Sequence, residues 1–414
     1  MAKLQPVRGT HDLLGEEARA HIAIAETARE IAGRYGFGPV ETPIFEFTDV
    51  FQRTLGDTSD IVTKEMYTFA DKSGDSLTLR PEGTAGVARA FISGGMQNAL
   101  PVKCFYHGPM FRHERPQKGR LRQFHQIGVE LIGVAEPVGD VEVISMGADI
   151  LDALGILPDT TLELNTLGDV ESRTRYRDVL VEYFQDLRDT LSEDSRERLE
   201  RNPLRILDSK DHVDREAVAG APDFSDYLTD EAADFFGAIR QGLDDLGIGY
   251  RLNTRLVRGL DYYGHTAFEF TTDKLGAQGT VLAGGRYDGL IGTMGGPETP
   301  GVGWAAGVER LAMMQEEPAA APRPVALMGL GEAGEREVLR LSRELRGEGL
   351  TVELIYKGGL KRGLKRADRI DAAAAVMIGD DELAKASATV RNLDSGEQQD
   401  VALAELKDHL AAYR

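Results

Sequence analysis

Hydrophobic and polar residues alternate along residues 123–133, QFHQIGVELIG. Ile127 and Leu131 fall in one alternating set, and Gln126 and Glu130 fall in the other. Successive side chains of a strand point to opposite faces, so this pattern predicts a strand with one apolar and one polar face. The polar face is either a solvent-facing sheet surface or the lining of a pocket.

Further β-type runs flank a long helical stretch. The runs TLELNTL, AFEFTT and TVLAGG favour strands, while apolar residues recur at helical spacing in the charge-rich stretch at about 170–250. We interpret that stretch as a helical insertion that splits the sequence around it into two parts of one domain. Such strands with helices packed on them predict an antiparallel sheet and an α+β fold.

A Pro/Ala-rich stretch, QEEPAAAPRPV, divides the chain near residue 315. Beyond it, apolar runs alternate with amphipathic segments, one of which carries Val338, Leu341 and Leu345 on a single helical face. This predicts a small α/β domain in which helices cover a sheet. The predicted organisation is a first domain, a linker and a C-terminal domain, with the bounds 1–315, 316–324 and 325–414.

Composition and charge narrow the class of protein. The 414 residues are 42% hydrophobic and 28% charged, which excludes a disordered chain and a collagen-like repeat. The formal net charge of -20 argues against a protein that coats nucleic acid nonspecifically, since such proteins usually carry a basic excess. A local basic surface stays compatible with this charge.

Cys104 is the single cysteine, so no disulfide forms within the chain and a cysteine-rich zinc site is excluded. This suits a reducing compartment. The N-terminal residues lack the apolar core of a signal peptide, and no apolar run approaches the roughly 18 residues of a membrane span. We therefore expect a cytoplasmic protein without membrane contact.

Basic residues concentrate between residues 103 and 123, where the single acid is Glu114. The run FYHGPMF precedes the middle segment ERPQKGRLR, and QFHQIGVELIG follows it. The flanking runs predict two strands, and the Pro, Gly and clustered charge between them predict an exposed hairpin loop. A solvated loop and a binding loop are both compatible with this pattern.

Two segments combine arginine, tyrosine and glycine. In LVRGLDYYGHTAFEF, Arg258 precedes Tyr262 and Tyr263, which form either pocket walls or ordinary core packing. The glycine-rich segment 282–311 lacks the P-loop pattern and ends in GVERL, a helix start that bears Arg310.

The segment TLRPEGTAGVARAF predicts a helix that begins near Glu82 and Thr84. Pro in the first turn and an early acid both favour a helix start, so these residues need no functional explanation by themselves.

Taken in order, these segments resemble the histidyl-tRNA synthetases, a family of class II aminoacyl-tRNA synthetases. The similar segments are RPEGTAG, FRHERPQKGRLRQFHQIGVE, LVRGLDYY, GGRYDGL, GVGWAAGVERL, and GLKRGLKRADRIDA with GDDELAKA. The resemblance extends from Val7 to the last helix. Gly264 and His265 depart from it, because the family often has Asn and Arg there.

The resemblance implies a class II synthetase-type antiparallel sheet core with helices, a helical insertion and a C-terminal α/β anticodon-binding domain. It implies a histidine–tRNA ligase, which activates L-histidine with ATP to histidyl-adenylate and pyrophosphate and transfers histidine to the 3' end of its cognate tRNA. It also implies a homodimer whose interface includes residues 35–46. Mg²⁺ should accompany ATP, bound mainly through the outer phosphates.

The implied histidine site must suit a neutral imidazole, which has one hydrogen-bond donor and one acceptor. By resemblance, Glu130 accepts from the ring and Tyr263 serves the other nitrogen. Glu82, Thr84 and Gln126 are the implied acceptors for the ammonium group. The implied histidine-binding residues are Glu82, Gly83, Thr84, Arg112, Gln126, Glu130, Arg258, Tyr262, Tyr263 and Tyr287.

Activation joins an anionic carboxylate to an anionic phosphate, so positive charge must surround the α-phosphoryl oxygens and the leaving group. Arginine suits this role because its planar fork binds phosphate bidentately and stays charged. The resemblance implies that Arg112 and Arg258 are catalytic, with Arg258 in a place that other class II enzymes give to a metal ion. We assign no residue as a metal ligand. The implied ATP-binding residues are Arg112, Glu114, Arg258 and Arg310.

The implied tRNA contacts fall on two basic segments. The loop residues Gln117, Lys118 and Arg120 are candidates for the acceptor stem, and Lys361 and Lys365 are candidates in the C-terminal domain. Residues four apart share one helical face, so the second pair also fits an ordinary solvated helix.

Three other functions are compatible with parts of the sequence. A regulatory synthetase paralogue of ATP phosphoribosyltransferase generally lacks the anticodon-binding domain and parts of the histidine motifs, and both are present here. A class II synthetase for another amino acid conflicts with LVRGLDYY and GGRYDGL. A purely nucleic-acid-binding module leaves the arginine and tyrosine segments unexplained.

Overall fold

The structure is a computed structural model, and it describes residues 3–55, 61–207, 209, 211–257, 262–276, 279–316, 321–356 and 359–413. Arg258, one of the two predicted catalytic residues, lies outside the described residues. The chain divides into two compact units, Met1–Ala319 and Ala320–Arg414. No helix among the described residues is long and apolar enough to cross a membrane.

A large, mainly antiparallel sheet forms the centre of the first unit, as predicted. Its strands are β1 (Gly38–Pro39), β5 (Val102–Phe111), β6 (Gln123–Ile132), β7 (Thr161–Thr166), β8 (Arg251–Leu252), β9 (Gly264–Thr271), β10 (Thr280–Arg286) and β11 (Gly301–Gly307). They lie in the order β1-β5-β6-β11-β10-β9-β7-β8. Within the described residues of this large sheet, only the outer pairs β1–β5 and β7–β8 are parallel.

The predicted hairpin is confirmed by the pairing of β5 with β6. Its register runs from Val102 opposite Ile132 to Phe111 opposite Gln123. On β6, Ile127 joins the main hydrophobic core, which packs against helices on one face of the sheet. The polar set of β6 therefore faces the other side, where the candidate site lies.

Helices cover the core face of the sheet and fill the region between β7 and β8. The helices of the first unit are α1 (Gly15–Arg34), α2 (Thr48–Leu55), α3 (Thr84–Ser93), α4 (Pro137–Ala153), α5 (Val170–Asp186), α6 (Glu193–Arg201), α7 (Arg215–Ala219), α8 (Asp230–Asp245), α9 (Leu290–Thr293) and α10 (Val308–Met314). Asp169 begins α5 by accepting the backbone N–H of Ser172 at 2.7 Å. Tyr176, Leu180 and Phe184 on α5 belong to a hydrophobic cluster formed within residues 170–257.

A second, three-stranded sheet carries exposed aromatic side chains. It consists of β2 (Phe45–Phe47), β3 (Tyr67–Ala70) and β4 (Ser76–Leu79), in the order β2-β4-β3. Phe45 is 53% exposed and Phe47 is 59% exposed. Large apolar side chains grouped on a surface are typical of an interaction site.

The second unit is an α/β layer with a mixed sheet. Its strands are β12 (Val325–Gly329), β13 (Val352–Leu354), β14 (Ala374–Ile378), β15 (Ser387–Asn392) and β16 (Gln398–Ala402). Its helices are α11 (Gly331–Gly347), α12 (Leu360–Arg369), α13 (Asp380–Ala384) and α14 (Leu406–Leu410). The strand order is β13-β12-β14-β15-β16. Val338, Leu341 and Leu345 are buried in its core, as their spacing predicts.

Candidate active site

A cavity of about 300 Å³ opens on the polar face of the large sheet. Its walls come from the residues before α3, the β5–β6 hairpin, strands β9 to β11 and the start of α10. Most of the predicted site residues among those described line it directly: Glu82, Thr84, Arg112, Glu114, Arg120, Gln126, Tyr262, Tyr263 and Arg310. Residues from five separate parts of the chain thus meet in one pocket.

Glu82 holds the start of α3. Its carboxylate accepts the backbone N–H groups of Thr84 at 2.6 Å and Ala85 at 2.8 Å, which would otherwise lack partners in the first helical turn. Burial raises the pKa of the Glu82 carboxyl, while these two hydrogen bonds oppose that change. The early acid therefore acts as a helix cap and also lines the cavity.

Glu130 lies beneath the cavity wall and is 1% exposed. It accepts hydrogen bonds from the Thr84 hydroxyl at 2.7 Å and from the Tyr287 hydroxyl. Burial raises the pKa of the Glu130 carboxyl to about 8, because the charged form is removed from water. This end of the site is thus a buried cluster of hydrogen-bonded side chains.

Two glycines of β11 make room for that cluster. A Cβ atom at Gly303 would overlap the Glu130 carboxylate, and one at Gly301 would overlap the Tyr287 ring. Glycine often lets the backbone approach a ligand closely. At these positions it instead admits the side chains that build the pocket.

Gln126 and the tyrosines complete the same end of the cavity. The Gln126 Oε1 atom is buried, and no described residue donates a hydrogen bond to it. The Tyr262 ring lies 4.5 Å from the Tyr263 ring and 5.9 Å from the Tyr287 ring, measured between centroids. Burial raises the pKa of the Tyr262 and Tyr287 hydroxyls well above the usual value, so both remain neutral donors.

Arginines define the opposite end of the cavity. Arg112 donates from Nε to the Pro81 carbonyl at 2.9 Å, and its guanidinium lies 5.2 Å from the centre of the Phe124 ring. Arg310 donates to the Thr280 carbonyl at 2.7 Å. Burial lowers the pKa of Arg310, and the neighbouring Arg120 and Arg112 lower it further. These contacts concentrate positive charge on a wall fixed by backbone carbonyls.

Glu114 balances part of this charge. It forms an ion pair with Arg120 at 2.9 Å, and the Arg112 Nη1 atom lies 3.9 Å from it. Arg120 therefore lies on the cavity wall, although it was predicted as a tRNA contact. Gln117 and Lys118, from the same loop, border a second cavity of about 570 Å³.

A buried ion pair behind the tyrosines was missed by sequence reasoning. The Arg286 Nε atom donates to the Asp140 carboxylate at 3.0 Å, and both side chains are fully buried. The Thr266 hydroxyl also donates to Asp140. The pair ties α4 to the strand that leads into Tyr287, and residues 146 positions apart give no pattern that joins them.

Gly264 has a structural counterpart in the helical region. The Arg173 Nη1 atom donates to the Tyr263 carbonyl at 2.9 Å, and a Cβ atom at Gly264 would lie 2.5 Å from that nitrogen. This departure from the usual family sequence leaves space for Arg173. The hydrogen bond from Arg173 fixes the backbone of Tyr263 to α5.

Lys361 and Lys365 belong to α12 of the second unit. Both are exposed, while Gly363 and Ala367 are buried on the other side of the helix. A Cβ atom at Gly363 would overlap the Met328 sulfur, which explains the glycine inside this basic helix. The two lysines share one outward face, as their spacing predicts.

Comparisons with known proteins agree with this arrangement. The sequence model of the family described as Histidyl-tRNA synthetase matches residues 9–311, and that of the Anticodon binding domain matches residues 324–413. The presence of the second match does not favour the regulatory-paralogue alternative. The fold expected from the resemblance, an antiparallel sheet core with a C-terminal anticodon-binding domain, is confirmed.

Similar proteins cover the whole chain. The chain is 62% identical to "Histidine--tRNA ligase" of Rhodospirillum rubrum over all of both proteins, and 59% identical to that of Gluconacetobacter diazotrophicus over 99% of each. The apo histidyl-tRNA synthetase of S. aureus is 35% identical and superposes with a TM-score of 0.83, covering 98% of this chain and 99% of the other. This chain therefore belongs to the histidyl-tRNA synthetase family of histidine–tRNA ligases.

Proposed function

We propose that this pocket activates L-histidine with ATP and that the chain then transfers histidine to the 3' end of its cognate tRNA. The observation that carries the proposal is the contrast between the two ends of one cavity. Buried hydrogen-bonding groups surround Glu130, and arginines surround Glu114. The first end suits a small polar amino acid, and the second suits phosphates.

Histidine binds at the buried end. Its ammonium group donates to acceptors such as Gln126 Oε1, which has no donor among the described residues, and the Glu82 carboxylate. Glu130 accepts from the imidazole N–H, with Tyr263 at the other ring nitrogen. The full proposed set is the one implied by the resemblance: Glu82, Gly83, Thr84, Arg112, Gln126, Glu130, Arg258, Tyr262, Tyr263 and Tyr287.

Selection of histidine follows from ring contacts that another amino acid cannot make. A side chain without ring nitrogens forms neither the proposed contact with Glu130 nor that with Tyr263, and both of these side chains are buried. Sites of this kind reject the unmatched analogue by roughly 10⁴–10⁵.

ATP binds at the arginine end. A carboxylate oxygen of histidine attacks the α-phosphorus, a new P–O bond forms, and the bond to pyrophosphate breaks. By the resemblance, Arg112 contacts the carboxylate and the α-phosphate, and Arg310 contacts the outer phosphates. Glu114 belongs to the same ATP-binding set, and Arg258 is assigned to the α-phosphate by the resemblance.

Mg²⁺ accompanies ATP in this proposal. The arginine end contains the carboxylates of Glu114 and Glu269, and hard oxygen donors of this kind suit Mg²⁺. The ion would be held mainly through the outer phosphates, where it supplies charge compensation for the leaving group.

The tRNA contacts come from both units. In this proposal Gln117, Lys118 and Arg120 of the hairpin loop contact the acceptor stem, and the exposed Lys361 and Lys365 of α12 contact tRNA from the second unit. We assign residues 1–315 to the catalytic domain with an insertion at about 170–250, residues 316–324 to a linker, and residues 325–414 to the anticodon-binding domain. The division into two compact units supports this assignment.

A homodimer in the cytoplasm completes the proposal. The predicted interface segment 35–46 runs into β2, where Phe45 and Phe47 are exposed. Burying such aromatic side chains against a second copy would remove apolar surface from water. An active monomer in light scattering would contradict this part.

Charging of tRNA tests the proposed reaction. Incubation with labelled histidine, ATP, Mg²⁺ and bacterial tRNA should give acid-precipitable label, and omission of ATP should abolish it. A folded preparation that leaves tRNA uncharged would contradict the proposal.

A further inference from the structure

Three side chains that the proposed reaction does not use meet beside the second cavity. His21 comes from α1, His125 from β6 and Glu309 from α10. Each offers one potential ligand atom, and these three atoms lie within 4.8 Å of one another. Segments more than 100 residues apart thus bring two imidazoles and one carboxylate together.

His125 and Glu309 are already held in place. The Glu309 carboxylate accepts the backbone N–H of His125 through both oxygens, at 2.9 and 3.0 Å. The His125 Nδ1 atom lies 3.0 Å from Glu309 Oε1. The carboxylate that would serve as one ligand therefore fixes the residue that would serve as another.

His21 is the member that lacks an explanation by ordinary packing. It is only 7% exposed, and its Nδ1 atom is buried with no hydrogen-bond partner among the described residues. Its ring stands nearly perpendicular to the His125 ring, with centroids 5.7 Å apart. A buried polar atom without a partner carries a desolvation penalty that a bound ligand would offset.

We propose that His21, His125 and Glu309 form a binding site for a divalent transition-metal ion of the zinc type. Two imidazole nitrogens and one carboxylate are a known zinc ligand set, whereas Mg²⁺ and Ca²⁺ prefer oxygen donors alone. The chemistry differs from that of the Mg²⁺ that accompanies ATP.

The three ligand atoms lie slightly farther apart than they would around a bound metal ion. Tetrahedral zinc ligands at their usual bond lengths lie about 3.4 Å apart, so atoms within 4.8 Å need movements of about 1 Å. His21 and Glu309 also line the cavity of about 570 Å³, which leaves a fourth ligand position accessible to water. Metal binding at this site does not depend on the proposed attachment of histidine to tRNA.

A bound ion would join α1 to two elements that line the active site. His125 precedes Gln126 on β6, and Glu309 precedes Arg310 on α10. Because the folded chain would bind the ion and the unfolded chain would not hold these ligands together, zinc should raise the thermal midpoint of the protein.

Titration of the untagged, metal-free full chain tests the site in the absence of histidine and ATP. Zn²⁺ followed by calorimetry should bind in one equivalent, and Co²⁺ should give the visible absorption of a low-coordinate site with nitrogen ligands. Loss of a supporting group typically costs 10–100-fold in metal affinity, so His21→Phe should cost at least about tenfold. It should also abolish the rise in thermal midpoint.

The matched control replaces a histidine elsewhere. His212 is exposed, and His212→Phe should bind Zn²⁺ as tightly as the original chain. His21→Gln provides a second test in case the aromatic replacement disturbs packing, and it should likewise weaken binding. Absence of a stoichiometric Zn²⁺ site, or equal affinity in the original chain and in folded His21 variants, would overturn the proposal.

Discussion

The two ends of the cavity differ in how their charged and polar side chains are stabilised. Glu130 is 1% exposed and is held by hydroxyl donors, whereas the Arg120 side chain is 39% exposed and pairs with Glu114. Burial dominates at the first end and raises the pKa of Glu130 to about 8. Ion pairs and carbonyl contacts dominate at the second. The amino-acid end therefore selects its ligand by matching hydrogen-bond donors and acceptors, whereas the phosphate end binds its ligand through positive charge.

Removal of an arginine should give the largest effect on activation. Arg310→Ala deletes charge fixed by the Thr280 carbonyl, and loss of one preorganised electrostatic group typically costs about 10²–10³ in rate. Pyrophosphate exchange should fall accordingly, with little change in the affinity for histidine alone. The control Arg120→Ala should reduce pyrophosphate exchange less than Arg310→Ala does, and it should impair tRNA charging more than it impairs exchange. Equal losses of exchange in the two variants would contradict the different roles of these arginines.

Glu130→Gln should mainly weaken histidine binding at the buried end of the cavity. Disturbing a hydrogen bond to a buried neutral carboxyl costs about 1–3 kcal/mol, so histidine affinity should fall by roughly 5–150-fold. Equilibrium binding of histidine and of ATP should be measured separately, and ATP affinity should stay near that of the original chain. An unchanged histidine affinity would exclude Glu130 from the pocket.

Gly303→Ala tests whether the glycine serves the buried cluster. The added methyl would overlap the Glu130 carboxylate, and overpacking of this kind typically costs about 1–3 kcal/mol. Stability measured by urea unfolding should fall, and histidine binding should weaken more than ATP binding. Gly249→Ala is the matched control, because a Cβ atom there meets nothing within 4 Å. Equal stability of the two variants would contradict the packing argument.

The raised pKa of Glu130 predicts a pH effect on stability. Between its ordinary value of 4.5 and about 8, the folded carboxyl keeps a proton that the unfolded chain releases. Stability from this group should therefore fall as pH rises, by at most about 1.4 kcal/mol per pH unit. Urea unfolding followed by fluorescence of the single, buried Trp304 should show a smaller pH slope in Glu130→Gln. Identical slopes would contradict the burial argument.

Local patterns were enough to predict the framework of this molecule. The alternation around Glu130 correctly predicted β6, and the spacing of Val338, Leu341 and Leu345 correctly predicted the buried face of α11. The edge strand β16 was missed because its sequence, QQDVA, is mostly polar and mostly exposed.

Long-range links in the site could not be predicted from local pattern. The Tyr287 hydroxyl donates to Glu130 across 157 positions, and Arg286 pairs with Asp140 across 146. The resemblance implies that Glu130 and Tyr287 bind histidine, but it gives no sign of the hydrogen bond between them. Such links depend on the order in which strands associate, which no single segment encodes.

Exchange of labelled pyrophosphate into ATP tests the central claim most directly, because it isolates activation from tRNA. The purified chain should catalyse exchange with histidine and discriminate against phenylalanine, which lacks the ring nitrogens, by roughly 10⁴–10⁵ in kcat/KM. Absence of histidine-dependent exchange in folded protein, or comparable exchange with the two amino acids, would contradict the account of the buried end of the pocket.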